Sequence, residues 1–308
     1  MKKYLTYIQL ALGMSIYGSG TPVSKIVTEA FPVYIGSGLR MFFAALVLIP
    51  FVFIYRKNFK QFSKGDYIKI GMMGFSAMFL FTIFMMYGMK YVTGVIGSII
   101  MGTSPAVTAI GSLIFLKEHM NLKKWIAIIL AVAGILIVNI GGSSMHMGTQ
   151  TSTEMIAIGS LLVFAAVCFG AAYTIIGKKE MSHIRPMLIV SLSVIVAAIL
   201  FIPFSLSQLS EFNASAITTG QWLAVIWWGV GSIALGLSLW NFGIEKVTGI
   251  VAAGFMGFMT ISSLVLSYIL LNEQFFWHQM LGFIVVFISL IMLTWSPKPK
   301  TAVTTSAS

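Results

Sequence analysis

Residues 88–118 read GMKYVTGVIGSIIMGTSPAVTAIGSLIFLKE, and residues 243–273 read GIEKVTGIVAAGFMGFMTISSLVLSYILLNE. Laid on each other without a gap, at an offset of 155 residues, they share Gly88/Gly243, Val92/Val247, Thr93/Thr248, Gly94/Gly249, Met101/Met256, Gly102/Gly257, Ser112/Ser267, Ile114/Ile269, Leu116/Leu271 and Glu118/Glu273. Further upstream, Ile49-Pro50-Phe51 returns as Ile202-Pro203-Phe204 at an offset of 153. The second half of the chain repeats the first. If each copy crosses a membrane an odd number of times, the copies lie upside down relative to each other. Many secondary transporters are built that way.

The composition demands a membrane. Of 308 residues, 58% are hydrophobic and 9% are charged, with a mean hydropathy of +0.96. A soluble domain carries roughly 25% charged residues. A β-barrel would alternate polar and apolar residues along strands of about 10 residues; here the apolar runs are unalternating and about 20 residues long. The chain therefore reads as an all-α integral membrane protein. The net charge of +11 does not signal nucleic acid, because the charges flank hydrophobic runs and do not gather on one polar segment. The one cysteine, Cys168, excludes an internal disulfide. Lys2-Lys3 before an apolar stretch resembles a signal peptide, but the stretch is too long and no small-residue cleavage site follows.

Ten segments qualify as transmembrane helices: 5–24, 33–54, 67–88, 92–114, 124–140, 155–177, 187–206, 220–241, 248–271 and 277–295. With the N-terminus inside, 16 of the 19 Lys and Arg residues fall in inside connections and only Lys25 and Lys90 fall outside. This is the bias expected of a cytoplasmic face, and one missed or surplus helix would scramble it. The expectation is two inverted five-helix repeats, 1–140 and 155–295, in a multi-pass protein of the bacterial plasma membrane with both termini cytoplasmic. Residues 141–154, without Lys or Arg, form the external linker. The Pro/Lys/Thr/Ser-rich tail, 296–308, is expected to be disordered.

A charge inside a bilayer costs at least about 2.5–3.5 kcal/mol, so intramembrane charges are informative. All eight acidic residues lie at span ends or in connections. Arg40 alone is deep, about eight residues or roughly 12 Å from the outer entry of its span. It shares a face with Gly36, Ser37 and Ala44, which suits inward packing. Lys25, at the outer end of the first span, follows Tyr17, Thr21 and Ser24 on a polar face. Both cations are candidates to attract an anionic substrate group such as a carboxylate. The alternatives are structural: Arg40 paired with Glu29, Glu273 or free carbonyls, and Lys25 snorkelling to the interface.

The fourth span carries Gly94, Gly97, Ser98, Gly102 and Ser104-Pro105 on a small face. Pro105 removes a backbone hydrogen bond and is a candidate hinge, while close packing explains the glycines equally well. Ser98, Ser104, Tyr17, Tyr173, Trp240 and Asn241 complete the candidate substrate-binding set; other tryptophans, such as Trp222, Trp277 and Trp295, suit interface anchoring. The 20 methionines are adaptable core filler, and without nearby Cys or His ligands they imply no metal. No cofactor is expected.

These residues carry a family likeness. Tyr17-Gly18 followed by Lys25, Leu39-Arg40-Met41-Phe42-Phe43-Ala44-Ala45, Pro105-Ala106-Val107-Thr108 leading to Leu116-Lys117-Glu118, and the closing Leu271-Asn272-Glu273 resemble the EamA-like branch of the drug/metabolite transporter superfamily over residues 4–295. The resemblance implies ten helices in two inverted repeats and, more often than not, export. The second copy departs from the pattern: Ser193 stands for Arg40, Thr260 for Pro105 and Ser289 for Gly134. The charged chemistry then belongs to the first half.

The expected function is a secondary transporter of a small metabolite, an amino acid or related carboxylate, working by alternating access. Without a buried acid, Na⁺ coupling is disfavoured; Glu118 or Glu273 is available for protons at a helix end, and exchange or facilitated diffusion stays open. Multidrug efflux is the alternative within transport, although hydrophobic cations usually call for a buried acid. A structural or receptor-like membrane protein is the alternative outside it. Intramembrane proteolysis lacks its aspartate pair, its His pair at i, i+4 and a buried base. The partners are a small-molecule substrate and the lipid bilayer, with monomer and homodimer both open.

Overall fold

A computed structural model describes residues 2–117, 122–142, 152–180, 184–244, 246–247 and 249–294. Glu118, most of the 141–154 linker and the 296–308 tail lie outside that set. Among the described residues every regular element is helical. The chain is a multi-pass membrane protein: six helical stretches are each long and apolar enough to cross a bilayer, and shorter apolar helices accompany them.

In chain order the helices are α1 (Lys2–Gly18), α2 (Gly20–Ala30), α3 (Val33–Ile54), α4 (Lys64–Met73), α5 (Phe81–Met89), α6 (Gly94–Met101), α7 (Ser104–Leu116) and α8 (Leu122–Gly142). They continue as α9 (Thr153–Glu180), α10 (Pro186–Ser207), α11 (Thr219–Ile226), α12 (Ser238–Ile244), α13 (Gly249–Leu271) and α14 (Trp277–Thr294). Helix occupies each of the ten predicted segments, several of them in pieces. The first segment breaks at Ser19, between α1 and α2.

The fourth segment breaks between α6 and α7, and this changes the role of Pro105. Proline was expected inside one continuous span, where it loosens the helix. Instead the chain turns at Gly102–Thr103, and Pro105 sits in the first turn of α7. A first-turn amide has no intrahelical acceptor, so proline costs nothing there.

Two segments are wider than α-helix. A π-helical stretch, Gly74–Leu80, joins α4 to α5, and another, Trp227–Leu237, joins α11 to α12. Applying the 155-residue offset to the first lands inside the second. The close contacts they make also correspond. A Cβ on Gly74 would strike the backbone carbonyl of Ser193 in α10, and a Cβ on Gly229 would strike the carbonyl of Arg40 in α3. Ser193 is the repeat partner of Arg40, and Gly229 that of Gly74. Each wide segment therefore lies directly on the second helix of the other half.

Helix endings correspond as well. Lys117 (φ 52°) and Asn272 (φ 50°), 155 residues apart, are the positive-φ non-glycine residues among those described. Each stops its helix with one left-handed residue, an αL cap. The change of offset from 153 to 155 falls in one connection. Nine residues, Tyr55–Ser63, link α3 to α4, whereas eleven, Gln208–Thr218, link α10 to α11.

Candidate functional site

A cavity of about 190 Å³ lies among residues of both halves. Tyr17 reaches it from α1, Arg40 from α3, Ser104 from α7, Tyr173 from α9, and Trp240 and Asn241 from α12. Six of the eight residues singled out for substrate contact thus share one space. Five methionines, Met14, Met78, Met101, Met256 and Met259, make much of its apolar wall. Both π-helical stretches contribute, through Ala77 and Met78 on one side and Ile233 and Leu237 on the other. Wide turns of this kind recur at functional sites.

Arg40 is 4% exposed. Neither Glu29 nor Glu273 pairs with it: Glu29 faces Lys25, and Glu273 is bonded elsewhere. Nη1 donates to the Thr82 hydroxyl at 2.7 Å, and that hydroxyl donates in turn to the Met78 carbonyl. The guanidinium carbon stands 4.1 Å from the Trp228 ring centroid and 5.9 Å from that of Phe81. Stacking on an aromatic face suits a planar, weakly hydrated cation. Nε has no hydrogen-bond partner and is fully buried. An unmet donor on a buried cation is costly. The Asn241 amide nitrogen is likewise buried and unpartnered.

The remaining candidates lie elsewhere. Ser98 is buried in a serine cluster: its hydroxyl donates to the Gly94 carbonyl at 2.7 Å, lies 3.1 Å from Ser267 Oγ and accepts from Ser263 at 2.7 Å. It fastens α6 to α13 and does not line the cavity. Lys25 donates from Nζ to the Met89 carbonyl at 2.7 Å and lies 3.4 Å from Glu29. It thereby caps the C-terminus of α5, where a cation is favoured. Pro105 is also absent from the lining. Thr82 and Trp228 are neighbours of Arg40 that sequence reasoning missed. The available signal was Trp228 itself, placed mid-span and away from the interface where tryptophan usually sits.

Residues 5–140 and 157–295 each match the EamA-like transporter family. The chain is also 32% identical over 281 residues to the uncharacterized transporter YetK of Bacillus subtilis (strain 168), covering 91% of this chain and 84% of that one. The chain belongs to the EamA-like transporter family. It is similar to a WAT1-related protein, At3g30340, of Arabidopsis thaliana, at 21% identity over 98% of this chain and 89% of that one. A solved crystal structure superposes with a TM-score of 0.63 at 12% identity, over 92% of this chain and 94% of that one, which speaks to fold alone.

In this EamA-like transporter the end of the second half is tied to the first. Glu273, just past α13, accepts from Gly94 N–H through Oε1 and from Val95 N–H through Oε2 at 2.9 Å. Thr93 Oγ accepts from Ile96 N–H at 3.3 Å. Together they satisfy the free amides of the first turn of α6, and the carboxylate also meets the helix dipole. Burial pushes the Glu273 carboxyl above its ordinary value of 4.5, against the pull of the two amides, Thr93 and Lys25. A carboxyl raised on folding stabilises the protein most below its ordinary range, and that contribution is lost as pH rises through the elevated value. Glu273→Gln should therefore flatten the pH dependence of the thermal midpoint from about pH 4.5 upward. Parallel wild-type and variant profiles across that window would contradict this.

Proposed function

We propose that this chain is a secondary transporter that binds a small organic anion in the cavity between its halves and alternates the access of that cavity between the two faces of the cell membrane. The observation that carries the reading is Arg40, a buried cation at the wall of that cavity that pairs with no acid among the described residues. A charge so placed is expensive unless something completes it, and a substrate carboxylate does so by charge-assisted hydrogen bonds. Multidrug efflux of hydrophobic cations gains nothing from such a wall.

The architecture proposed is ten crossings in two inverted halves, 1–140 and 155–295, with 141–154 outside and both termini, including 296–308, inside. The doubled sequence, the charge bias and the matched contacts of Gly74 and Gly229 support it. The direction proposed is export.

Two measurements test this. Single cysteines introduced at 141–154 in a Cys168→Ser background should react with an impermeant maleimide from outside, and cysteines at 56–66 should not; the reverse pattern refutes the topology. Overproduction should shift one or more organic anions from the cell interior to the medium. An unchanged distribution of anions, with cations moving instead, refutes the function.

A further inference from the structure

Resting on the anion-transport reading, we infer that the substrate is a monocarboxylate without a free ammonium group. Its body is small and apolar or aromatic. Of the amino acid or related carboxylate expected from the sequence, this leaves the carboxylate.

The argument starts from charge. Arg40 is the one formally charged residue among the described residues that line the cavity, and no Asp or Glu accompanies it. A carboxylate docked on the guanidinium is neutralised. The ammonium of an α-amino acid sits two bonds from its carboxylate carbon, so it would lie within a few ångströms of the same guanidinium with no carboxylate to face. In a low-dielectric enclosure that repulsion is weakly screened. Aromatic faces at Tyr17, Tyr173 and Trp240 attract cations, but a compact ammonium is strongly hydrated and needs acceptors for three donors.

The other polar side chains on the walls, among them Tyr17, Ser104, Tyr173 and Asn241, are neutral. A complementary ligand brings one ionic acceptor, to the Arg40 side chain that lines the cavity. Its remaining surface meets methionine, a pliant thioether that shapes itself to varied apolar bodies. About 190 Å³ holds roughly six waters at about 30 Å³ each, so the body is small.

The test uses ligands that differ only in the groups at issue. Purified protein is titrated with 3-phenylpropionate, phenylalanine and phenethylamine, and with 4-methylpentanoate, leucine and isopentylamine. Thermal shift reads binding, and counterflow in proteoliposomes reads transport. The two acids should bind at least tenfold more tightly than the matching amino acids, and the amines should not bind. Arg40→Gln should remove acid binding, Arg40→Lys should restore part of it, and Ser193→Ala should leave it unchanged. Amino acids that match or exceed the acids, or acids that fail to bind, overturn the inference. If the amino acids bind and need Arg40, the anion-transport reading survives that loss. If the amines bind and Arg40→Gln strengthens them, both readings fall.

Discussion

Arg40→Ala should reduce organic-anion exchange by at least about 100-fold in proteoliposomes, while Ser193→Ala should leave exchange within about twofold of the parent. The two residues occupy the same place in the two halves, and both are buried, at 4% and 0% exposure. Their surroundings differ. Arg40 lines the cavity, stacks on Trp228 and holds Thr82, whereas the Ser193 hydroxyl has no partner and does not face the cavity. Truncating one member of a buried hydrogen-bonded charge pair costs about 2–5 kcal/mol or more, which spans the predicted loss. Removing an unpartnered buried hydroxyl relieves a desolvation cost, so Ser193→Ala should fold at least as well. Equal losses from the two substitutions, with both proteins folded, would show that Arg40 has no special role.

The second large effect is on folding. Gly74→Ala and Gly229→Ala should each lower the thermal midpoint sharply and reduce the yield of monodisperse protein. In both cases the new methyl meets a backbone carbonyl of a neighbouring helix, which cannot move aside as a flexible side chain can. Overpacking a well-filled site costs about 1–3 kcal/mol, a large share of a typical 5–15 kcal/mol margin. Gly71→Ala and Gly220→Ala are the controls. Nothing lies within 4 Å of a Cβ at either position, and alanine in a helix is favoured over glycine by about 1 kcal/mol. A uniform response across all four would mean that close approach is not what these glycines supply.

The helices were legible because lipid imposes length and apolarity on any crossing segment, and that signal is strong in one sequence. Arg40 was legible for the complementary reason: a cation among apolar residues stands out. Its company was not. Thr82 and Trp228 come from other helices, and no periodicity links them to position 40. Ser98 and Lys25 looked like Ser104 and Arg40 by residue type, but their polar atoms are consumed by neighbours, Ser263 and Ser267 in one case and the Met89 carbonyl in the other. Pro105 signalled a departure from regular helix. The sequence did not say whether the departure lay within a span or at the start of a new helix, because proline suits both.

The π-helical stretches left no mark on the apolar pattern, since every residue of Gly74–Leu80 apart from Gly74 and Ser76 is hydrophobic whichever way it turns. They bear on the history of the chain. A wide turn arises when one residue is inserted into an α-helix and the flanking turns keep their facing. Here such widening occurs at matched places in both halves, although only scattered residues between them are still identical. Two independent insertions at the same depth are a poorer account than one. A widening already present before the sequence was doubled accounts for both stretches at once.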